Sequence, residues 1–145
     1  MEFSRAKAEH LPAILELEQA AFALTEQWSE NSWRAEIAGS LVLVIGDPVQ
    51  GVAAFRVVDE LAELFRIIVA EDARNQGLGR QLLAEGIRWA GTQQAERLLL
   101  EVRADNSPAI ALYQAAGFEP IQVRRDYYGS GADAVVMELT LKEEA

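Results

Sequence analysis

Two glycines and two arginines in "RNQGLGR", residues 74 to 80, are spaced to hold an anion. The stretch follows an apolar run and precedes a segment of helical periodicity. Free N–H groups of a helix start, and the positive end of its dipole, would point where Gly77 and Gly79 let a ligand approach the backbone. Arg74 and Arg80 would add charge. A dinucleotide loop of the form G-x-G-x-x-G is excluded, because Leu82 stands where the third glycine is needed. The triphosphate loop G-x-x-x-x-G-K-[ST] is absent from the sequence. What remains is R-x-x-G-x-G after a strand, the pattern used for the pyrophosphate of coenzyme A. A tight turn with two glycines would carry the same letters.

Glu101 is the second candidate. It stands inside "RLLLEVRA", where a carboxylate between apolar residues is costly to bury without a partner or a task. Desolvation there would raise its pKa towards that of a useful general base. The other reading is an ion pair with a neighbour such as Arg103, or a solvent-facing position. Tyr113, on the segment that follows, offers either a hydroxyl or simply a packed ring. Cysteine is absent, which removes thiolate nucleophiles, disulfides and thiolate metal sites together. The single histidine, His10, has no G-x-S-x-G or H-E-x-x-H pattern beside it and is expected exposed in the first turn of a helix.

These groups need elements to hold them. "EFSRA" reads as a short first strand. Residues 9 to 22, "EHLPAILELEQAAF", read as an amphipathic helix with Leu11, Ile14, Leu15 and Phe22 on one face and Pro12 in the first turn. "WSENSWRAEI" offers Ser29 as the N-cap of a second helix. "LVLVIG", the turn "GDPVQG", "VAAFRVV" and "AELFRIIV" have the β-branched and aromatic content of strands joined by short hairpins. After the glycine loop a helix is expected over residues 80 to 91, burying Leu82, Leu83, Ile87 and Trp89. "RLLLEVRA" is the next strand. "NSPAIALYQAAG" is a helix capped by Ser107, opened by Pro108 and ended by Gly117. "FEPIQVRRDYY" and "DAVVMELTL" are the last two strands. The order β-α-α-β-β-β-α-β-α-β-β predicts an α/β chain with a mixed sheet and helices on its faces.

A chain of 145 residues, half of them hydrophobic, is expected to form one domain with a real core. No apolar run approaches the roughly 20 residues of a membrane span, and the first residues lack the pattern of a signal peptide, so a cytoplasmic protein is expected. The net charge of −10 argues against general affinity for nucleic acid. It would attract a cationic partner such as an amine or a basic peptide tail, although an acidic surface also serves solubility alone.

"RNQGLG", "LEVRADNSPAIALYQAAGF" and "RRDYY" together resemble the GNAT superfamily of acetyl-CoA-dependent N-acetyltransferases. Within it they are similar to the bacterial RimI-type enzymes that acetylate the N-terminal alanine of a small-subunit ribosomal protein. "LPAILELEQAAF", "WSENSW", "ELFRIIV" and "RNQGLGRQLL" fall in the family's order, so the likeness covers nearly the whole chain. The resemblance implies the GNAT fold, a mixed central sheet of about seven strands flanked by four helices, with splayed parallel strands forming the acetyl-CoA site. It implies that residues 1–145 form a single acetyltransferase domain. The cofactor would meet the main chain of Ile67, Ile68 and Val69. The residues Arg74, Asn75, Gln76, Gly77, Leu78, Gly79 and Arg80 would hold its pyrophosphate, and Asn106 would hydrogen-bond it. Glu101 would be the general base and Tyr113 the general acid that protonates the departing thiolate. Trp28, Arg66, Tyr127 and Tyr128 would border the acceptor, with no metal involved.

The chemistry agrees with the residue inventory. A protonated amine cannot attack a thioester. An α-amine of pKa about 7.8 is roughly one-tenth neutral at pH 7, whereas a lysine near 10.4 is neutral less than one time in a thousand. Without cysteine, direct transfer within a ternary complex is the natural route. The implied partner is a protein N-terminus, of a basic ribosomal protein, met by a monomer or weak dimer, with neither nucleic acid nor membrane. Trp28, Trp33 and the two tyrosines would wall a peptide channel or else fill core and surface gaps. Arg66, and the short "YYGSGADA" after the paired tyrosines, depart from the family pattern near the acceptor groove. The alternatives are therefore a GNAT enzyme for a small-molecule amine or lysine side chain, and a non-catalytic acyl-CoA-binding module.

Overall fold

The structure is a computed structural model that describes residues 2–141. Its elements are β1 (Phe3–Arg5), α1 (Leu11–Ala21), α2 (Glu30–Gly39), β2 (Leu41–Ile45), β3 (Gly51–Val58), β4 (Leu61–Val69), α3 (Leu78–Thr92), β5 (Arg97–Arg103), α4 (Ser107–Ala115), β6 (Glu119–Arg124) and β7 (Ala134–Thr140). This is the predicted order. The seven strands form a mixed sheet in the order β1-β2-β3-β4-β5-β7-β6, with β4 and β5 parallel. Among the described residues no helix is long and apolar enough to cross a membrane.

The chain packs as two compact units. One takes the residues up to 56 together with 66–86, and the other takes 57–65 together with 87 onward. In the first, β2 is buried along its whole length, as its unbroken "LVLVI" suggests for a strand covered on both faces. It pairs antiparallel with β1 and β3. Leu11 and Ile14 of α1 enter the core as expected and Leu17 joins them, while Leu15 and Phe22 are only partly buried against it. Ser29 caps α2, its hydroxyl accepting from the Ser32 N–H at 3.1 Å. His10 is half-buried, in a 3-10 turn before α1, and its Nδ1 accepts from the Lys7 N–H at 2.9 Å.

Helix α3 begins at Leu78, two residues before the predicted start, because Gly79 takes part in its first turn. Within this unit the helix and β3 come unusually close. A Cβ at Gly86 would lie 2.0 Å from Cζ of Phe55, whose ring is fully buried. Only glycine leaves room for that ring.

In the second unit β5 is central. It pairs in parallel with β4 from Leu61–Arg97 to Leu64–Leu100, after which both strands continue, and it pairs antiparallel with β7 from Arg97–Thr140 to Arg103–Ala134. Leu98, Leu100 and Val102 point into the core with Phe118 and Met137. β6 pairs with β7 and is exposed throughout, with a register shift between Pro120 and Gln122. Proline and a bulge are usual devices of such an edge. The cap of α4 corrects the sequence reading. It is Asn106, whose Oδ1 accepts from the Ala109 N–H at 3.2 Å, and Ser107 is the first helical residue. Gly117 ends the helix with a φ of 102°, as predicted.

Candidate active site

One group of candidate residues is on the loop between β4 and α3. Glu71–Ala73 make one 3-10 turn, Arg74 is extended, and Asn75 and Gly77 both have positive φ, 64° and 77°. Left-handed residues interspersed in this way turn successive N–H groups towards one concavity, the arrangement that accepts anions. The helix then claims its first backbone bond from the Gln81 N–H to the Gly77 carbonyl at 3.0 Å. The amides of Leu78, Gly79 and Arg80 are left unclaimed by the helix itself. Leu78 is buried and anchors the helix start, whereas Arg74, Asn75, Gln76 and Arg80 are exposed. The Arg74 Nε donates to the Val69 carbonyl at 3.4 Å. The Arg80 guanidinium lies over Gly77, 3.3 Å from where a Cβ would stand. Gly77 combines a positive φ with close approach of the Arg80 side chain, and neither its positive φ nor that of Asn75 was foreseen. In β4, Ile68 is buried and Ile67 and Val69 are half-buried.

A second group of candidates lies on β5, α4 and the β6–β7 connection. Glu101 is exposed, so the expected desolvation is absent. The reason is strand alternation. Leu98, Leu100 and Val102 face the core, and Leu99, Glu101 and Arg103 take the opposite face. The Arg103 side chain reaches Asp105 at 3.2 Å and lies 5.2 Å from the Tyr128 ring centre. Arg124 makes the ion pair with Glu101, at 3.4 Å. The Tyr127 phenol bonds to the same carboxylate. That bond and the carboxylate's charge hold its pKa above the usual value, with Arg124 opposing. Tyr127 is half exposed and meets Tyr128 edge-on, ring centres 5.1 Å apart. The short segment after them is a closed turn. Tyr128 donates to the Ala132 carbonyl at 3.0 Å, and Asp126 accepts from the Gly131 N–H at 2.7 Å. Tyr113 is 5% exposed and packs edge-on against Phe118. Burial first, and Tyr128 second, push its phenol well above the usual tyrosine range. Asn106 combines its cap with the position implied for it at the start of α4.

The acceptor candidates of the first unit centre on a residue that sequence reasoning missed. Glu18 is fully buried. It accepts from Trp33 Nε1 at 3.1 Å, from the Trp28 N–H at 2.8 Å and from two nitrogens of Arg66 at 3.3 and 2.8 Å. Its spacing from Leu11 and Ile14 set it on the apolar stripe of α1, which was the available signal. Arg66 also lies over Phe22 and near Trp28. Its charge is thus engaged by Glu18. Trp28 is half-buried, tilted against a fully buried Trp33, so Trp33 belongs to the core and not to a channel wall.

The model of the acetyltransferase (GNAT) family matches residues 7–118. A [ribosomal protein bS18]-alanine N-acetyltransferase of Salmonella typhimurium is 39% identical over 137 residues, covering 90% of this chain and 91% of its own. The protein of that name from Escherichia coli K12 is 37% identical with the same coverage. The crystal structure of the ribosomal-protein-S18-alanine N-acetyltransferase from Escherichia coli superposes with a TM-score of 0.89 at 34% identity, over 99% of this chain and 96% of that one.

Proposed function

Because the chain belongs to the acetyltransferase (GNAT) family and is an acetyl-CoA-dependent N-acetyltransferase, we propose that its acceptor is the N-terminal alanine amine of a ribosomal protein. The observation that carries this reading is the extent of the likeness. Identity of 37–39% to alanine N-acetyltransferases runs over nine-tenths of the chain, well beyond the cofactor loop. The reading treats residues 1–145 as one acetyltransferase domain in a cytoplasmic monomer or weak dimer.

The loop suits a diphosphate, because it offers two left-handed residues, three amides unclaimed by the helix and two exposed arginines. Acetyl-CoA supplies the activated acetyl group as a thioester. Residues 74–80 hold its pyrophosphate, the main chain of Ile67, Ile68 and Val69 pairs with its pantetheine arm, and Asn106 hydrogen-bonds it. Glu101 takes the proton from the amine as the N–C bond forms. Tyr113 gives a proton to sulfur as the C–S bond breaks. A buried phenol of raised pKa carries that proton throughout the neutral range. Charge developing on the carbonyl oxygen calls for backbone N–H donors. Trp28, Tyr127 and Tyr128 border the acceptor, with Arg66 of β4 set against the Trp28 ring.

An exposed Glu101 favours an α-amine over a lysine, since the former is already about one-tenth neutral at pH 7. The test is acetyl-CoA turnover with a panel of alanine-terminated peptides, lysine peptides and polyamines. Alanine-terminated peptides are expected to be preferred. Acetylation of a small amine or lysine peptide, with the alanine peptides untouched, would refute the acceptor assignment.

A further inference from the structure

Glu18 is the buried charge of the described core, and its partners come from three separate stretches of chain. The guanidinium that neutralises it also donates to the Glu26 carbonyl at 2.6 Å, lies 3.7 Å from the Phe22 ring centre and 4.8 Å from that of Trp28. Phe22, Glu26 and Trp28 all belong to the connection between α1 and α2. Only Phe22 and Trp28 of that connection pack against the core, and both are partly buried. It contains one 3-10 turn, and Leu24 within it is 85% exposed. A forked cation bonded to both oxygens of one carboxylate, and stacked on two rings, fixes planes as well as distances. Buried ion pairs contribute little net stability but can specify geometry. Arg66 also immediately precedes the three β4 residues assigned to the cofactor.

We propose that Glu18 and Arg66 are positioning residues for the acceptor. The pair sets residues 22–28 and thereby the Trp28 ring, presenting a preformed wall to a peptide N-terminus. Neither side chain touches the reacting atoms; both act through Trp28. The inference rests on the acceptor reading above.

Arg66→Lys tests it, since it keeps the charge that Glu18 needs while losing the fork and the stacking. Acceptor-peptide KM is expected to rise about tenfold, with kcat and the calorimetric Kd for coenzyme A unchanged within about twofold. Amide exchange in residues 22–28 should accelerate about tenfold while β2 stays protected. Trp28→Ala should raise KM without destabilising the pair, and adding Arg66→Lys to it should cost nothing further in KM. An unchanged KM in Arg66→Lys, an equal loss of coenzyme A affinity, or additive effects in the double variant would each overturn the proposal. If the unaltered protein acetylates no peptide, the acceptor reading fails and this role fails with it. Amide exchange, which needs no substrate, then still reports whether Arg66 holds the segment.

Discussion

The Glu101 carboxylate lies 3.4 Å from the Arg124 guanidinium, the two side chains meeting across β7 from the strands on either side of it. An incoming ammonium must compete with that guanidinium for the same oxygens. Because the pair is partly exposed, it is worth at most about 1 kcal/mol. Arg124→Ala should therefore lower acceptor KM by about two- to fivefold, measured by steady-state kinetics at low salt.

Glu101→Gln removes the base. Turnover at pH 7 should fall by about a hundredfold. At pH 9 an α-amine is about nine-tenths neutral and at pH 7 about one-tenth, so the deficit should shrink by about sevenfold. Equal loss at every pH would assign Glu101 to positioning alone.

Tyr113→Phe should lower kcat by about a hundredfold with little change in acceptor KM. Its effect on stability has a definite sign. Burial raises the phenol's pKa in the folded state above the usual value near 10, so the folded protein holds a proton that the unfolded chain releases. The stabilisation is complete below pH 10 and declines above it by up to about 1.4 kcal/mol per pH unit. Denaturant midpoints between pH 8 and 11 should show a shallower alkaline decline for Tyr113→Phe than for the unaltered protein.

Gly77→Ala places a side chain at a φ of 77° and presses its Cβ on the Arg80 guanidinium. The backbone strain costs about 1–2 kcal/mol. Coenzyme A binding by calorimetry should weaken about tenfold or more, with the circular dichroism of the fold retained.

Asn106 has two separable tasks. Asn106→Ala loses the cap bond to Ala109 and should cost about 1 kcal/mol, or about 2–4 °C in Tm. Asn106→Asp keeps the cap, and so Tm, but weakens coenzyme A binding if the amide group contacts the cofactor. Unchanged Kd in Asn106→Asp would leave the cap as its whole role.

What the sequence showed well was local chemistry. Ser29 opens its helix and Gly117 ends its own by bonds and dihedrals set within four residues. Asn106 displaced Ser107 because both side chains can cap, and the choice depends on which residue keeps a non-helical backbone, here Asn106 with a ψ of 74°. The burial of Glu101 was misjudged through its neighbours Leu100 and Val102, although strict alternation puts it on the face away from them and so favours the solvent-facing reading. Partnerships between distant residues were not legible. Arg66 and Glu18 are 48 positions apart, and nothing short of the fold brings a carboxylate on the α1 stripe to that guanidinium. Arg124 and Glu101 meet only because β7 lies between their strands.

The absent side chain at Gly86 works as a depth stop. Phe55 fills that space, so this part of α3 can sit against β3 at one spacing only. The helix runs unbroken from Gly86 back to Leu78, and Gly86 lies nine positions beyond Gly77, about 13 Å along the axis. A single methyl group wedged under the helix would tilt the amides at its far end, so the aim of the anion loop is set from a place where no ligand ever comes.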